Sequence, residues 1–191
     1  MHQIDIPEHV SDPFPEGLGV PMTMIYTSDL ALMRFKESIQ TGNGNDVAYV
    51  VERDYPLKYT IGSDRDIREI TVPAGMLTDL ASVPWFARWL VGRVGRHLEA
   101  AIVHDYLYVA RKWETDPEQR EAKRKFADQL FYVGMRDAGV YRIVAWIMYV
   151  TVRIFGRWFS DKNESGHFLD IRDPEVAARL HPRDEHGDLL V

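Results

Sequence analysis

Histidine followed directly by aspartate, in the stretch Val103-His104-Asp105-Tyr106-Leu107-Tyr108, is the part of this chain best equipped to do chemistry. Imidazole is the side chain whose proton moves near neutral pH, and a neighbouring carboxylate can orient it, tune it or bind a cation. At about 100° of rotation per helical residue, His104, Tyr108 and Asp105 share one arc of roughly 100°, with Tyr108 between the other two. Ala101 lies within that arc and Ala100 at its edge, which leaves room for another backbone, a ligand or an ion. Leu98, Ile102, Val103, Leu107, Val109 and Ala110 take up most of the remaining circumference, so the helix is expected to be buried on nearly every side. A carboxylate in such a place must be paired, neutral or metal-bound, because an uncompensated charge in a low-dielectric interior is costly.

The partner expected for His104 is Asp128, on the flank of the stripe Phe126, Leu130, Phe131, Val133 of the following helix. Two consecutive helices joined by a short connection pack antiparallel, which turns Asp128 toward the His104 arc. A carboxylate there would hold one imidazole nitrogen as a donor and leave the other free as a base. The alternative is a buried polar network that only fixes helix register, with Asp128 paired to Arg124 or to a lysine at helical spacing.

The elements that must position these residues change period midway along the chain. From Met22 to Val72, runs rich in Val, Ile, Tyr and Thr are separated by turn chemistry such as Thr41-Gly-Asn-Gly-Asn45 and Gly62-Ser-Asp-Arg-Asp66. These predict a small antiparallel sheet with strands near 22–26, 32–35, 47–51, 57–61 and 67–72. From Ser82 onward the period is helical. A short helix carrying Trp85, Phe86, Trp89 and Leu90 is expected up to Gly92, then helices over about 96–112, 117–139 and 141–159. Asp116 with Pro117 and Glu118 marks the start of the third. The expectation is an α+β fold in one domain: an extended arm over 1–20, a β part over 21–73, a helical part over 82–160 and a polar tail over 161–191.

The bulk composition narrows the function classes. A net charge of −6, and no basic run longer than Lys123-Arg124-Lys125, make nucleic acid a poor partner. There is no cysteine, so disulfide frameworks and thiol or Cys-based metal sites are excluded. The first residues do not read as a signal peptide. The longest apolar stretch, Ile143 to Val152, stops at Arg153, well short of the roughly 20 residues a membrane-crossing helix needs. A soluble protein is expected.

Two resemblances follow from these motifs. His104-Asp105-Tyr-Leu-Tyr108 with Asp128-Gln-Leu-Phe131 resembles the two active-site helices of secreted phospholipases A2, which carry His-Asp-x-x-Tyr on one helix and Asp, or Asp-x-x-Phe in small bacterial members, on its antiparallel partner. The resemblance implies that His104 is the base that deprotonates water, Asp105 a calcium ligand, Asp128 the orienter of His104, and Tyr108 a donor to Asp128. The ion would polarise an ester carbonyl and stabilise the oxyanion. This chain lacks the disulfides of that family and has no close counterpart of its calcium loop. The nearest candidate is Pro73 to Pro84, where Gly75, Asp79 and Ser82 offer oxygens toward the 6–8 that calcium takes. The combination of Val72-Pro-Ala-Gly-Met-Leu-Thr-Asp-Leu-Ala-Ser-Val-Pro84, His-Asp-Tyr-Leu-Tyr and Ala127-Asp-Gln-Leu-Phe131 is also similar to an uncharacterised family of small phage and prophage proteins, which implies a place in the host cytoplasm or the virion.

The remaining candidates are simpler. Asp79 is either part of a tight turn or a further metal carboxylate. His97 lies two turns before His104 on the same face, and would be a second imidazole for zinc if it were not a surface or capping residue. His181 and His186, in the polar tail, are expected to be solvated. The apolar helix over 141–159, with Trp85, Trp89 and Trp158, either packs in the core or presents a surface to lipid or a partner protein. Two functions are therefore expected: a metal-dependent hydrolase of phospholipase-A2-like type, or a non-enzymatic phage virion or tail component that assembles with other phage proteins.

Overall fold

The period-2 runs and the helical runs both form, and they do so on opposite sides of one apolar core. A computed structural model describes residues 12–34, 49–62, 66–78, 97–160, 168, 169 and 171, with the side chains of 157–160 outside the description. Six strands precede three helices: β1 Pro21–Tyr26, β2 Leu32–Arg34, β3 Tyr49–Val51, β4 Tyr55–Ile61, β5 Asp66–Val72, β6 Leu77–Thr78, α1 Leu98–Ala110, α2 Pro117–Asp137 and α3 Arg142–Ser160. A 3₁₀ turn, Arg111–Trp113, follows α1. The fold is α+β. The helix expected over 82–92, the arm before Asp12 and most of the tail lie outside the described residues.

The strands form two three-stranded antiparallel sheets, in the orders β1-β4-β5 and β2-β3-β6, rather than one. The second sheet depends on β6, two residues inside what reads as a turn, and two residues have no period to detect. Leu77 pairs with Val50, and the Val51 N–H donates to the Met76 carbonyl. β4 begins two residues earlier than its apolar pattern, taking in Pro56. This costs little because β1 ends opposite Leu57, so no strand on that side needs a donor from Pro56.

Met24, Leu57, Tyr59, Ile70 and Val72 of the first sheet meet Ile102, Val103, Tyr106 and Leu107 of α1 and Phe126, Ala127 and Leu130 of α2. α3 covers the other side of this pair, packing Ala145 and Met148 on Ala100, Phe131 and Met135. α1 is enclosed by a sheet and two helices, which is why it is apolar around most of its girth. Asp116 caps α2 by accepting from the Glu118 N–H. Polar clasps then bind the sheet to α2. The Met24 N–H donates to Asp137 Oδ2 (2.7 Å), and the Tyr26 hydroxyl donates to the Gly134 carbonyl (2.8 Å). A Cβ at Gly134 would sit 2.7 Å from Met24 Sδ and 3.0 Å from Ala100 Cβ, so any larger residue at this crossing would force the Met24 side chain to move. Among the described residues, no helix is long and apolar enough to cross a membrane.

Candidate functional site

The antiparallel packing of α1 on α2 brings Asp128 to His104, and α3 closes the arrangement from the far side. Asp128 is completely buried. His104 Nε2 lies 2.9 Å from Asp128 Oδ1, and the Tyr108 hydroxyl donates to the same oxygen at 2.7 Å. An ionised carboxylate only accepts, so Nε2 carries a hydrogen and Nδ1 is the nitrogen left to take up or release a proton. The other oxygen, Asp128 Oδ2, accepts from Arg153 of α3 at 2.9 Å, with Arg124 at 3.9 Å. Arg124 and Arg153 both also hydrogen-bond Glu121. The imidazole is packed between the rings of Tyr108 and Phe131, at centroid separations of 4.2 and 4.8 Å.

Asp105 faces the opposite nitrogen. Its Oδ1 is 3.9 Å from His104 Nδ1, and its Oδ2 accepts from the Thr78 hydroxyl at 2.9 Å. The side chain keeps 20% of its surface exposed, so it escapes much of the desolvation cost expected of a fully buried carboxylate. Asp79, at the next position after Thr78, lies outside the described residues.

The electrostatics follow from these contacts. Burial would pull the His104 pKa down, but the Asp105 and Asp128 carboxylates outweigh it and hold the imidazolium above its ordinary value of 6.5. Burial works to raise Asp128, and the contacts from His104, Tyr108 and Arg153 bring it below the usual carboxylate range. Burial and the adjacent Asp128 push the Tyr108 phenol well up, which keeps it a donor. Linkage turns the His104 shift into a stability prediction. A group whose pKa is raised by folding stabilises fully below its unfolded value and loses that contribution as pH rises through the folded one. Urea denaturation is therefore expected to show stability falling as pH climbs above 6.5, and His104→Gln should flatten that slope. His97, whose pKa is lowered by burial, acts in the opposite direction below 6.5 and leaves the two effects separable. A slope above 6.5 that survives His104→Gln would refute the assignment.

Three residues of this arrangement, Arg153, Gly156 and Thr78, carry no site role in the reading of the sequence. Arg153 ends the apolar stretch of α3, yet it turns inward and neutralises Asp128. Its signal is a cation set inside a helix without one acidic residue, three positions before Gly156 and so on the same face. Gly156 matters because a Cβ there would come within 2.5 Å of the Tyr108 hydroxyl. Arg124 contacts Asp128 as the simplest ion-pair reading has it, though more distantly than Arg153. In the sequence Thr78 is only one letter of the Val72–Pro84 motif. His97 occupies the N-cap position of α1 without a side-chain cap bond and is buried, not a surface residue.

Calcium is poorly served by what is described here. Of the loop carbonyls, that of Gly75 accepts from the Leu169 N–H and that of Met76 from the Val51 N–H, so they are engaged in β structure. Among the described residues, no three His, Asp or Glu side chains converge as metal ligands. Among the described residues Asp105 and Thr78 offer fewer oxygens than the 6–8 of a calcium shell.

An α+β chain whose three helices enclose a hydrogen-bonded His-Asp-Tyr-Arg cluster, with a second carboxylate at its edge, is the class that fold and site define. The chain belongs to the DUF1353 family, proteins of unknown function, whose family model matches residues 51–152 and so runs from the end of β3 through β4 to β6, α1 and α2 into α3, stopping just before Arg153. No curated protein and no solved structure matches the chain.

Proposed function

We propose that this chain is a hydrolase of acyl esters in which His104 is the general base. The observation that carries the reading is the division of the imidazole: Nε2 is held by Asp128, and Nδ1 is left on the side of Asp105 and Thr78. Nδ1 takes a proton from water as the water oxygen bonds to the ester carbonyl carbon. The imidazolium returns that proton to the departing alkoxide as the acyl C–O bond breaks. Asp128, Tyr108 and Arg153 fix the ring.

A lipid ester suits the outer face of α3. Ile143, Trp146 and Ile154 are more than half exposed there, on a helix that has arginines and no acidic residue and whose inner face holds Arg153 in the cluster. The phage or prophage setting rests on the likeness of the three motifs. The test is fatty-acid release from phosphatidylglycerol and phosphatidylcholine vesicles, by wild type and by His104→Asn. Calcium at Asp105 is proposed separately and has its own test. Millimolar calcium should raise the Tm of the wild type and not that of Asp105→Ala, and equal responses would remove the ion from the proposal.

One observation favours the second reading, a non-enzymatic virion or tail component that assembles with other phage proteins. Asp128 is sealed by an arginine, and neither of the two described clefts is lined by His104. Vesicles left intact by the wild type, with and without calcium, would favour this reading.

A further inference from the structure

The larger of those two clefts, about 480 Å³, shares no lining residue with the His104 cluster and opens between residues 12–16, β4, β5 and α1. Among its lining residues are two tyrosines from different elements, Tyr59 of β4 and Tyr106 of α1, 1% and 2% exposed. Among the described residues neither hydroxyl has a hydrogen-bond partner. Each tyrosine is almost wholly buried, yet its unpartnered hydroxyl keeps contact with the solvent of the cleft, which places two donors where ligand or ordered-water oxygens can reach them.

The charges around it select the ligand. Asp12 is taken by Lys123 at 2.7 Å, and Arg68 by Asp66 at 2.6 Å. That leaves Glu16 and Glu69, which have no ion-pair partner among the described residues. A cleft with two uncompensated carboxylates repels phosphates and carboxylates. The phenols offer hydrogens and need acceptors, while the carboxylates need donors. A neutral polyol meets both demands, since each of its hydroxyls donates and accepts. The Phe14 ring adds an apolar surface for C–H groups, and the volume suits roughly one or two hexose units.

We propose that this cleft is a saccharide-binding site in which Tyr59 and Tyr106 donate to ligand oxygens and Glu16 and Glu69 accept from ligand hydroxyls. It is independent of the hydrolase reading. The test is a ¹H–¹⁵N NMR titration of the full chain with glucose, galactose, N-acetylglucosamine, cellobiose and diacetylchitobiose at millimolar concentrations, with inorganic phosphate and spermidine as comparators. At least one sugar is expected to shift the amides of Tyr59, Glu69, Thr71 and Tyr106, and phosphate to leave them in place. Tyr59→Phe and Tyr106→Phe should each weaken that sugar about fivefold, the loss of one neutral hydrogen bond. Glu69→Gln, on the exposed part of β5, serves the same purpose should a core variant fail to fold. The proposal is overturned if no sugar shifts these amides, if spermidine or phosphate binds more tightly than every sugar, or if folded variants bind as the wild type does.

Discussion

Asp128→Ala is expected to lose about 3–5 kcal/mol of folding stability, the cost of removing one partner from a buried ion pair and stranding the others. The carboxylate is fully buried and receives His104, Tyr108 and Arg153, so alanine leaves three donors without their acceptor at the junction of three helices. A typical domain has only about 5–15 kcal/mol in total. Urea denaturation of the variant checks the figure. Adding Arg153→Met to Asp128→Ala should recover part of the loss, because the second change removes a stranded cation; a double-mutant cycle measures that coupling. A loss below about 1 kcal/mol for Asp128→Ala, within the range of an ordinary hydrogen bond, would show that the cluster does not hold the helices together.

The second large effect is on catalysis. His104→Asn keeps a polar group against Asp128 and removes the base, and ester hydrolysis should fall by about 10²–10⁴, the usual contribution of a positioned general base. Wild-type activity should rise with pH through the raised His104 pKa, because only neutral imidazole accepts a proton. Folding stability is expected to fall over that same interval, so the two curves should cross. A purely structural cluster shares the stability curve and has no rate to lose. Equal turnover by wild type and His104→Asn would end the assignment of His104 as base, whatever the substrate.

Much of this cluster is legible from residue spacing. Helical rotation alone places Tyr108 between His104 and Asp105, and the Asp116-Pro117 start fixes α2 closely enough to turn Asp128 inward. What rotation cannot supply is the identity of the cover on each face. Asp105 reads as a buried charge in need of a strong partner, yet β6 meets it with the Thr78 hydroxyl and leaves it partly exposed. Arg153 escapes because an apolar helix with arginines toward its ends reads as a helix with solvated ends. Its inward course depends on Gly156 letting α3 approach Tyr108, which no period records. β6 and the split into two sheets depend on long-range pairing of very short segments, where local pattern is weakest.

The clasp between β1 and the end of α2 has a consequence for the order of folding. The contacts that build the His104 cluster join residues 20 to 25 apart in sequence, whereas Met24 reaches Asp137 across 113 residues and Lys123 reaches Asp12 across 111. Closing a short loop costs less chain entropy than closing a long one, and local contacts are made sooner. The helical trio is then the early nucleus and the amino-terminal strand its late latch. Substitutions at Asp128 should slow folding, and those at Asp137 should chiefly hasten unfolding, a division that chevron kinetics resolves.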